Sequence, residues 1–221
     1  MTHKIEILHI TQVTPDTKVY VCSRPKNYKF TSGQATDVTI DSDGWQEEAR
    51  PFTFTCDPGS DILSFTIKSY FDHDGVTKKL WSLGAGDGLL IGDPWGAIAP
   101  SGPGVFLAGG AGITPFIPIF EALAKDRALT GSTLIFANST YRDIILRDHF
   151  EALEGLETVF VTKNGDNADR AGRLDGDLLS ALIPDYDSRF YVCGPPAMEE
   201  TLVGHLHAKG VTDYRIIREE G

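Results

Sequence analysis

The stretch Gly104–Phe120, GVFLAGGAGITPFIPIF, decides how the chain is to be read. Val105–Ala108 is a short apolar run of the kind that forms a buried strand. Glycines follow at Gly109, Gly110 and Gly112, and Pro115 then opens an apolar helical pattern. Glycine permits tight turning and lets the backbone approach a ligand with no Cβ in the way. Proline in a first helical turn costs little, because the N–H groups there lack intrahelical partners. The stretch predicts a strand–loop–helix unit whose free N–H groups and positive dipole end suit a pyrophosphate. A glycine loop that binds nothing is the competing reading of these residues alone.

Beyond this unit the period stays that of alternating strands and helices. Strand-like runs recur at Thr133–Ala137, Thr158–Val161, Phe190–Val192 and Arg215–Ile217. Helical patterns lie between them at Pro115–Lys125, Asp143–Leu153, Asp175–Leu182 and Pro196–Lys209. The alternation predicts a doubly wound parallel sheet with helices on both faces. Ligands of such sheets bind beyond the carboxyl ends of strands, where the strand order reverses. The run Tyr191–Met198, YVCGPPAM, ends one of these strands with a thiol, a glycine and a diproline. That composition leaves room for a flat ring to pass; a buried structural thiol is the alternative for Cys193.

Before Gly104 the pattern is different. Short alternating or β-branched runs occupy Lys4–Ile10, Lys18–Cys22, Ala35–Ile40, Pro51–Thr55, Ile62–Lys68 and Gly88–Ile91. Turn signals such as Ser32-Gly33, Asp43-Gly44 and Asp57-Pro58-Gly59 separate them, as in an antiparallel barrel or sandwich. One short helix is expected from about Thr77 to Leu83. The halves divide into residues 1–101 and 102–221.

Two stretches of the first half carry possible chemistry. In Arg50-Pro51-Phe52-Thr53, an arginine, a ring and a hydroxyl on one strand can together grip a flavin. The guanidinium pairs with phosphate, while the ring and hydroxyl meet the flavin itself. An ordinary strand with a surface arginine and a core phenylalanine is the alternative. In Gly75-Val76-Thr77, a glycine and a threonine at a helix start offer N–H groups and a hydroxyl to a diphosphate. A threonine-capped helix after a turn fits the same residues.

Composition narrows the functional classes. The 221 residues carry a formal net charge of -11. Such a charge argues against nucleic acid or an anionic membrane as a main partner. Pro94–Phe120 is uncharged, but its prolines and glycines break it into pieces too short to span a bilayer, so no membrane insertion is expected. The N-terminus shows no apolar core behind a basic start and reads as no signal peptide. Cys22, Cys56 and Cys193 lie far apart, with neither disulfide-framework nor metal-site spacing, and suggest a reducing cytoplasm.

Taken in order, RPFT at 50–53, GVTKKL at 75–80, GGAGITPF at 109–116 and CGPPAM at 193–198 resemble the ferredoxin–NADP reductase family of flavoproteins. The resemblance covers nearly the whole chain. It implies a flavin-binding antiparallel β-barrel followed by an α/β domain for NADH or NADPH, with FAD as cofactor. Arg50 would hold the flavin phosphate, Pro51 and Phe52 (in the family's usual tyrosine place) would line the flavin, and Thr53 would contact N5. Gly75, Val76 and Thr77 would line the diphosphate. Gly110, Gly112, Thr114 and Pro115 would form the nicotinamide-nucleotide loop. Cys193, Gly194 and Pro195 would sit near the nicotinamide, with Glu219 as the family's acidic residue near the end.

Thr53, Cys193 and Glu219 are therefore the expected catalytic residues, and no metal is expected. Electrons would pass to a separate acceptor protein. A flavin reductase using free flavin as substrate, or a non-catalytic electron-transfer subunit, are the alternatives. The segment Ala137–Ile144 resembles that of NADH-dependent cytochrome reductases and leans toward NADH; Arg142 reads either as a phosphate contact or as a solvated helix-start charge.

Overall fold

The computed structural model describes residues 1–96, 98–99 and 101–219. The first six strands are β1 (His3–Thr14), β2 (Thr17–Ser23), β3 (Ala35–Ile40), β4 (Arg50–Thr53), β5 (Ile62–Lys68) and β6 (Gly88–Ile91). They pair antiparallel in the order β4-β3-β6-β1-β2-β5. An antiparallel bridge between Phe54 and Phe65 joins the end of β4 to β5 and closes the barrel. Among the described residues, closure leaves no long unpaired edge of this sheet for another chain to join. Inside lie Ile5, Ile7, Tyr20, Val38, Phe54 and Phe65, each from a position that alternates with an outward one. The short helix α1 (Val76–Trp81) closes one end by burying Val76 and Leu80.

β1 runs four residues further than its apolar pattern predicts. Its last third, Thr11-Gln12-Val13-Thr14, is mostly polar and has no alternation to read. Asp16 holds the hairpin there by accepting the hydroxyls of Thr14 and Thr17 at 2.9 and 3.1 Å. Val13, near the hairpin tip, packs into the hydrophobic cluster of the second half, as does the connecting-segment residue Ile98.

The second half is an all-parallel sheet of β7 (Val105–Gly109), β8 (Ser132–Asn138), β9 (Leu156–Thr162), β10 (Arg170–Ala171), β11 (Phe190–Cys193) and β12 (Ile216–Ile217). The spatial order is β10-β9-β8-β7-β11-β12. The chain thus winds outward from β7 in one direction and resumes on β7's other side with β11. Helices α2 (Phe116–Lys125), α3 (Arg147–Glu151), α4 (Gly176–Leu182) and α5 (Pro196–Ala208) cover both faces. Phe106 and Ala108 point into one core with Phe116, Phe120 and Phe136. Val105 and Leu107 point into the other with Ile135, Val192 and Leu202.

One expected helix is largely replaced. Asp143–Leu153 opens instead as the end of a 3₁₀ turn, Tyr141–Asp143, capped reciprocally by Thr140 and Asp143. Ile144 and Ile145 are both buried in one cluster, which adjacent β-branched residues achieve more readily from extended backbone. Leu146 then turns through φ 51° before the short α3 begins. β10 pairs over only two residues, too few to leave a period in the sequence.

Candidate functional site

A cleft of about 740 Å³ runs between the barrel and the carboxyl ends of the parallel strands, within the range of ligand-binding cavities. The barrel wall presents Pro51, Phe52 and Thr53 from β4, Thr66 and Lys68 from β5, then Tyr70 and Thr77. Opposite them, the ends of β7, β8, β9, β11 and β12 present the glycine turn, Asn138 and Ser139, Lys163, Cys193 through Met198, and Glu219. The register pairs Ala108 with Cys193 and Gly109 with Ala137. The glycine turn and the thiol therefore meet where the strand order reverses, as the rule for open parallel sheets requires.

The turn itself differs from a bare strand–loop–helix. Gly110–Ile113 forms a 3₁₀ turn, and Pro115 is the residue that caps α2. Thr114 gives both its amide and its hydroxyl to the Ala111 carbonyl, at 3.1 and 3.0 Å. Those donors stabilise the turn and do not project as a phosphate cradle. Gly110 has φ 52° with nothing within 4 Å of where a Cβ would stand. Its place is open to a ligand, in a conformation that favours glycine. Gly112 is required for another reason: a Cβ there would lie 2.2 Å from the Cys193 carbonyl oxygen. It lets the turn pack against the end of β11.

Of the expected site residues, Pro51, Phe52, Thr53, Thr77, Gly110, Gly112, Thr114, Pro115, Cys193, Gly194, Pro195 and Glu219 line this one cleft. Arg50, Gly75 and Val76 do not. The exposed Arg50 guanidinium donates to the Ala49 carbonyl at 2.6 Å and reaches Glu48 at 3.5 Å. Val76 is 2% exposed and belongs to the barrel core, and the Gly75 amide is taken by the His73 carbonyl at 3.1 Å. Being adjacent in a motif does not bring successive residues to one face. Arg142 likewise stands outside the cleft lining.

Several lining residues escaped sequence reasoning. Lys68 is ion-paired with Asp16 at the tip of the β1–β2 hairpin. Burial pushes the Asp16 carboxyl up, but hydrogen bonds from Lys68, Thr14 and Thr17 outweigh it and hold the group below its usual range. Tyr70, Lys163 and Arg173 line the cleft from outside any of the sequence motifs. The parallel register of Ala171 on Thr162 makes Lys163 and Arg173 leave adjoining chain ends. Asn138 Nδ2 is buried there without a hydrogen-bond partner.

Burial raises the Cys193 thiol well above its ordinary value, and the carboxylates of Glu219 and Glu199 add to the effect. Cys193 is therefore a neutral thiol, suited to contact and weak hydrogen bonding rather than to nucleophilic attack. Enclosure by the cleft walls also raises the Glu219 carboxyl, with Glu199 second. Glu219 is nonetheless exposed as a residue, so solvent screens the effect.

Residues 106–203 match the oxidoreductase NAD-binding domain family. NADH oxidoreductase HCR of Escherichia coli (strain K12) is 27% identical over 217 residues, covering 96% of this chain and 66% of that protein. Over residues 106–203 the chain is thus similar to the NAD-binding domain of oxidoreductases, and over nearly its whole length to this NADH oxidoreductase. NADH-cytochrome b5 reductase 1 of Aspergillus terreus is 28% identical, over 83% of this chain and 68% of that protein. A ferredoxin NADP+ reductase from Neisseria gonorrhoeae, solved with bound FAD and NADP, superposes at a TM-score of 0.86. It is 22% identical and covers 99% of this chain and 98% of its own. The chain spans about two thirds of the length of the curated relatives it matches.

Proposed function

We propose that this chain is an NAD(P)H-dependent flavoprotein reductase, with FAD against the barrel wall and the nicotinamide nucleotide against the ends of the parallel strands. The observation that carries this reading is the single cleft lined by Phe52 and Thr53 on one wall and by the glycine turn and Cys193 on the other. The residues fit both groups. Gly110 leaves open space at the turn, and the unpartnered Asn138 donor would be satisfied by a nucleotide oxygen.

Bound flavin would supply the redox chemistry, accepting hydride and releasing electrons one or two at a time. The chain's part is to hold two flat rings in reach of each other and exclude water. Phe52, half-buried against the barrel core, offers its ring face to the flavin. Thr53, 8% exposed, brings a hydroxyl to the same wall. Cys193 and Gly194 shape the opposite wall without adding charge, and the Glu219 carboxyl lines the same cleft.

The donor turns on charges near the adenine ribose. Lys163 and Arg173 bring positive charge to the cleft lining, and Asp143 is occupied by the Thr140 amide and hydroxyl, both at 2.9 Å. These charges leave room for NADPH as well as NADH. The acceptor we infer is a separate small redox protein, the class to which cytochrome b5 and ferredoxin, printed in the relatives' names, belong. Among the described residues no helix is long and apolar enough to cross a membrane. The three free thiols support a reducing, cytoplasmic setting.

The test is anaerobic addition of NADH or NADPH to purified, FAD-loaded protein; flavin absorbance should bleach, and a protein that neither retains FAD nor bleaches refutes the reading. A second reading rests on Arg50. A flavin without that guanidinium is held less tightly, which favours free flavin as a substrate. Saturation of NAD(P)H oxidation by added flavin, with no flavin retained on gel filtration, identifies it.

A further inference from the structure

Helix α5 begins in an unusual way. Pro195 caps it and Pro196 is its first residue, so two successive residues at the β11–α5 junction have no N–H to give. The last backbone donor before them is the Gly194 amide, directly after Cys193. It donates to Glu199 Oε1 at 2.8 Å. In the usual capping box an acidic side chain of the first turn reaches back to the cap residue's own amide. Here that amide does not exist, and the carboxylate reaches one residue further, onto the peptide linking Cys193 to Gly194.

That peptide is already confined on its other sides. A Cβ on Gly194 would lie 2.5 Å from Met198 Cε and 3.1 Å from the Gly109 amide nitrogen, and the Cys193 carbonyl faces Gly112. These contacts and the pairing of Cys193 with Ala108 hold the carbonyl side of the peptide, and the Glu199 carboxylate holds its amide side. A charge-assisted hydrogen bond adds orientation to close packing. Glu199 does not line the cleft; it stands behind the wall that Cys193 and Gly194 form.

We propose that Glu199 is a positioning residue, its carboxylate clamping the Gly194 amide and so fixing the wall against which the nicotinamide stacks. The inference rests on the reductase reading for its consequence, but the clamp itself is a property of the chain. Glu199 also brings negative charge toward Cys193 and Glu219 from α5. The other titratable groups lining the cleft are Lys68 and Tyr70 from the barrel, with Asp143, Lys163 and Arg173 further along the strand ends.

The experiment compares Glu199→Ala, Glu199→Gln and Glu199→Asp with Glu200→Ala as the control, each FAD-loaded. Two quantities are read: hydrogen exchange of the Gly194 amide by NMR, and the rate of anaerobic flavin reduction by NAD(P)H. In Glu199→Ala, exchange should rise about tenfold or more, as expected for a lost bond to a charged group, and reduction should slow several-fold with flavin retention unchanged. Glu199→Gln keeps an acceptor oxygen at the same reach and should restore most of both. Glu199→Asp, one methylene short, should behave like alanine, and Glu200→Ala like wild type.

Unchanged Gly194 exchange in the alanine and aspartate variants overturns the clamp. Raised exchange with an unchanged reduction rate overturns the positioning role and leaves a helix cap. Should Glu199→Ala fail to fold, the contrast between glutamine and aspartate decides the matter. Wild-type protein that does not bleach at all refutes the reductase reading instead, while the exchange measurement still judges the clamp.

Discussion

Replacing Gly112 by alanine tests the geometry of the strand-order reversal directly. The added Cβ would stand 2.2 Å from the Cys193 carbonyl oxygen, 2.5 Å from its carbon and 2.7 Å from Gly194 Cα, where ordinary contact begins near 3.4 Å. All three obstacles are backbone, so no side chain can swing aside. Either the glycine turn or the end of β11 must move by about an ångström. Overpacking of this kind costs about 1–3 kcal/mol, which lowers the melting temperature by about 2–4 °C per kcal/mol in a chain of this size. Because both segments form one wall of the cleft, the shift also misplaces the nicotinamide, and a displacement of about 1 Å costs about 100-fold in rate. Thermal unfolding and stopped-flow flavin reduction read the two effects separately; flavin retention on the opposite wall should be unchanged. A Gly112→Ala protein that melts and reduces flavin like wild type would refute the argument.

Other changes should give different signatures. Lys163→Ala with Arg173→Ala should lower kcat/KM for NADPH by about tenfold or more, since each charged contact to phosphate contributes roughly 1.5–3 kcal/mol, and should leave NADH use within about twofold. Steady-state comparison of the two donors checks this, and equal losses would remove both residues from nucleotide discrimination. Asp16→Asn should destabilise the β1–β2 hairpin by about 1 kcal/mol at neutral pH. The Asp16 carboxyl is held below its unfolded value in the folded chain. Its contribution is therefore present above the unfolded pKa and lost as pH falls through the folded one, so urea midpoints of variant and wild type should converge in acid. Finally, the raised Cys193 thiol predicts slow alkylation by iodoacetamide at neutral pH, and Cys193→Ala should slow flavin reduction without releasing flavin. Rapid labelling of Cys193 by mass spectrometry would contradict the neutral thiol.

The parts of the cleft visible in the sequence are those where one short segment does everything. Val105–Ala108 is apolar on both faces because the strand is buried between two layers, and glycine or proline marks where it must turn. The CGPP run is legible for the same reason. What the sequence did not display depends on neighbours remote in the chain. Lys163 and Arg173 approach each other only because β10 lies beside β9, a pairing of two residues. Lys68 and Asp16 meet through strand pairing in the barrel. Within one motif, local geometry divides the residues: β4 directs Phe52 and Thr53 to the cleft but leaves Arg50 at its outer end, and Val76 serves the barrel core. The polar end of β1 and the buried Ile144–Ile145 pair depart from the periodicity in the same way, since tertiary contacts set their conformation.

The pairing of Ala108 with Cys193 carries a consequence for how the molecule assembles. These neighbours in the sheet come from strands between which β8, β9 and β10 all intervene in the chain. Loop-closure entropy must be overcome before so distant a contact contributes. The wall formed by the glycine turn and Cys193 is thus expected among the last parts of the α/β layer to consolidate. Pulse-labelled hydrogen exchange during refolding should show the Leu134–Phe136 amides of β8 protected before those of β11, and a late-forming wall would make nucleotide binding a reporter of completed folding.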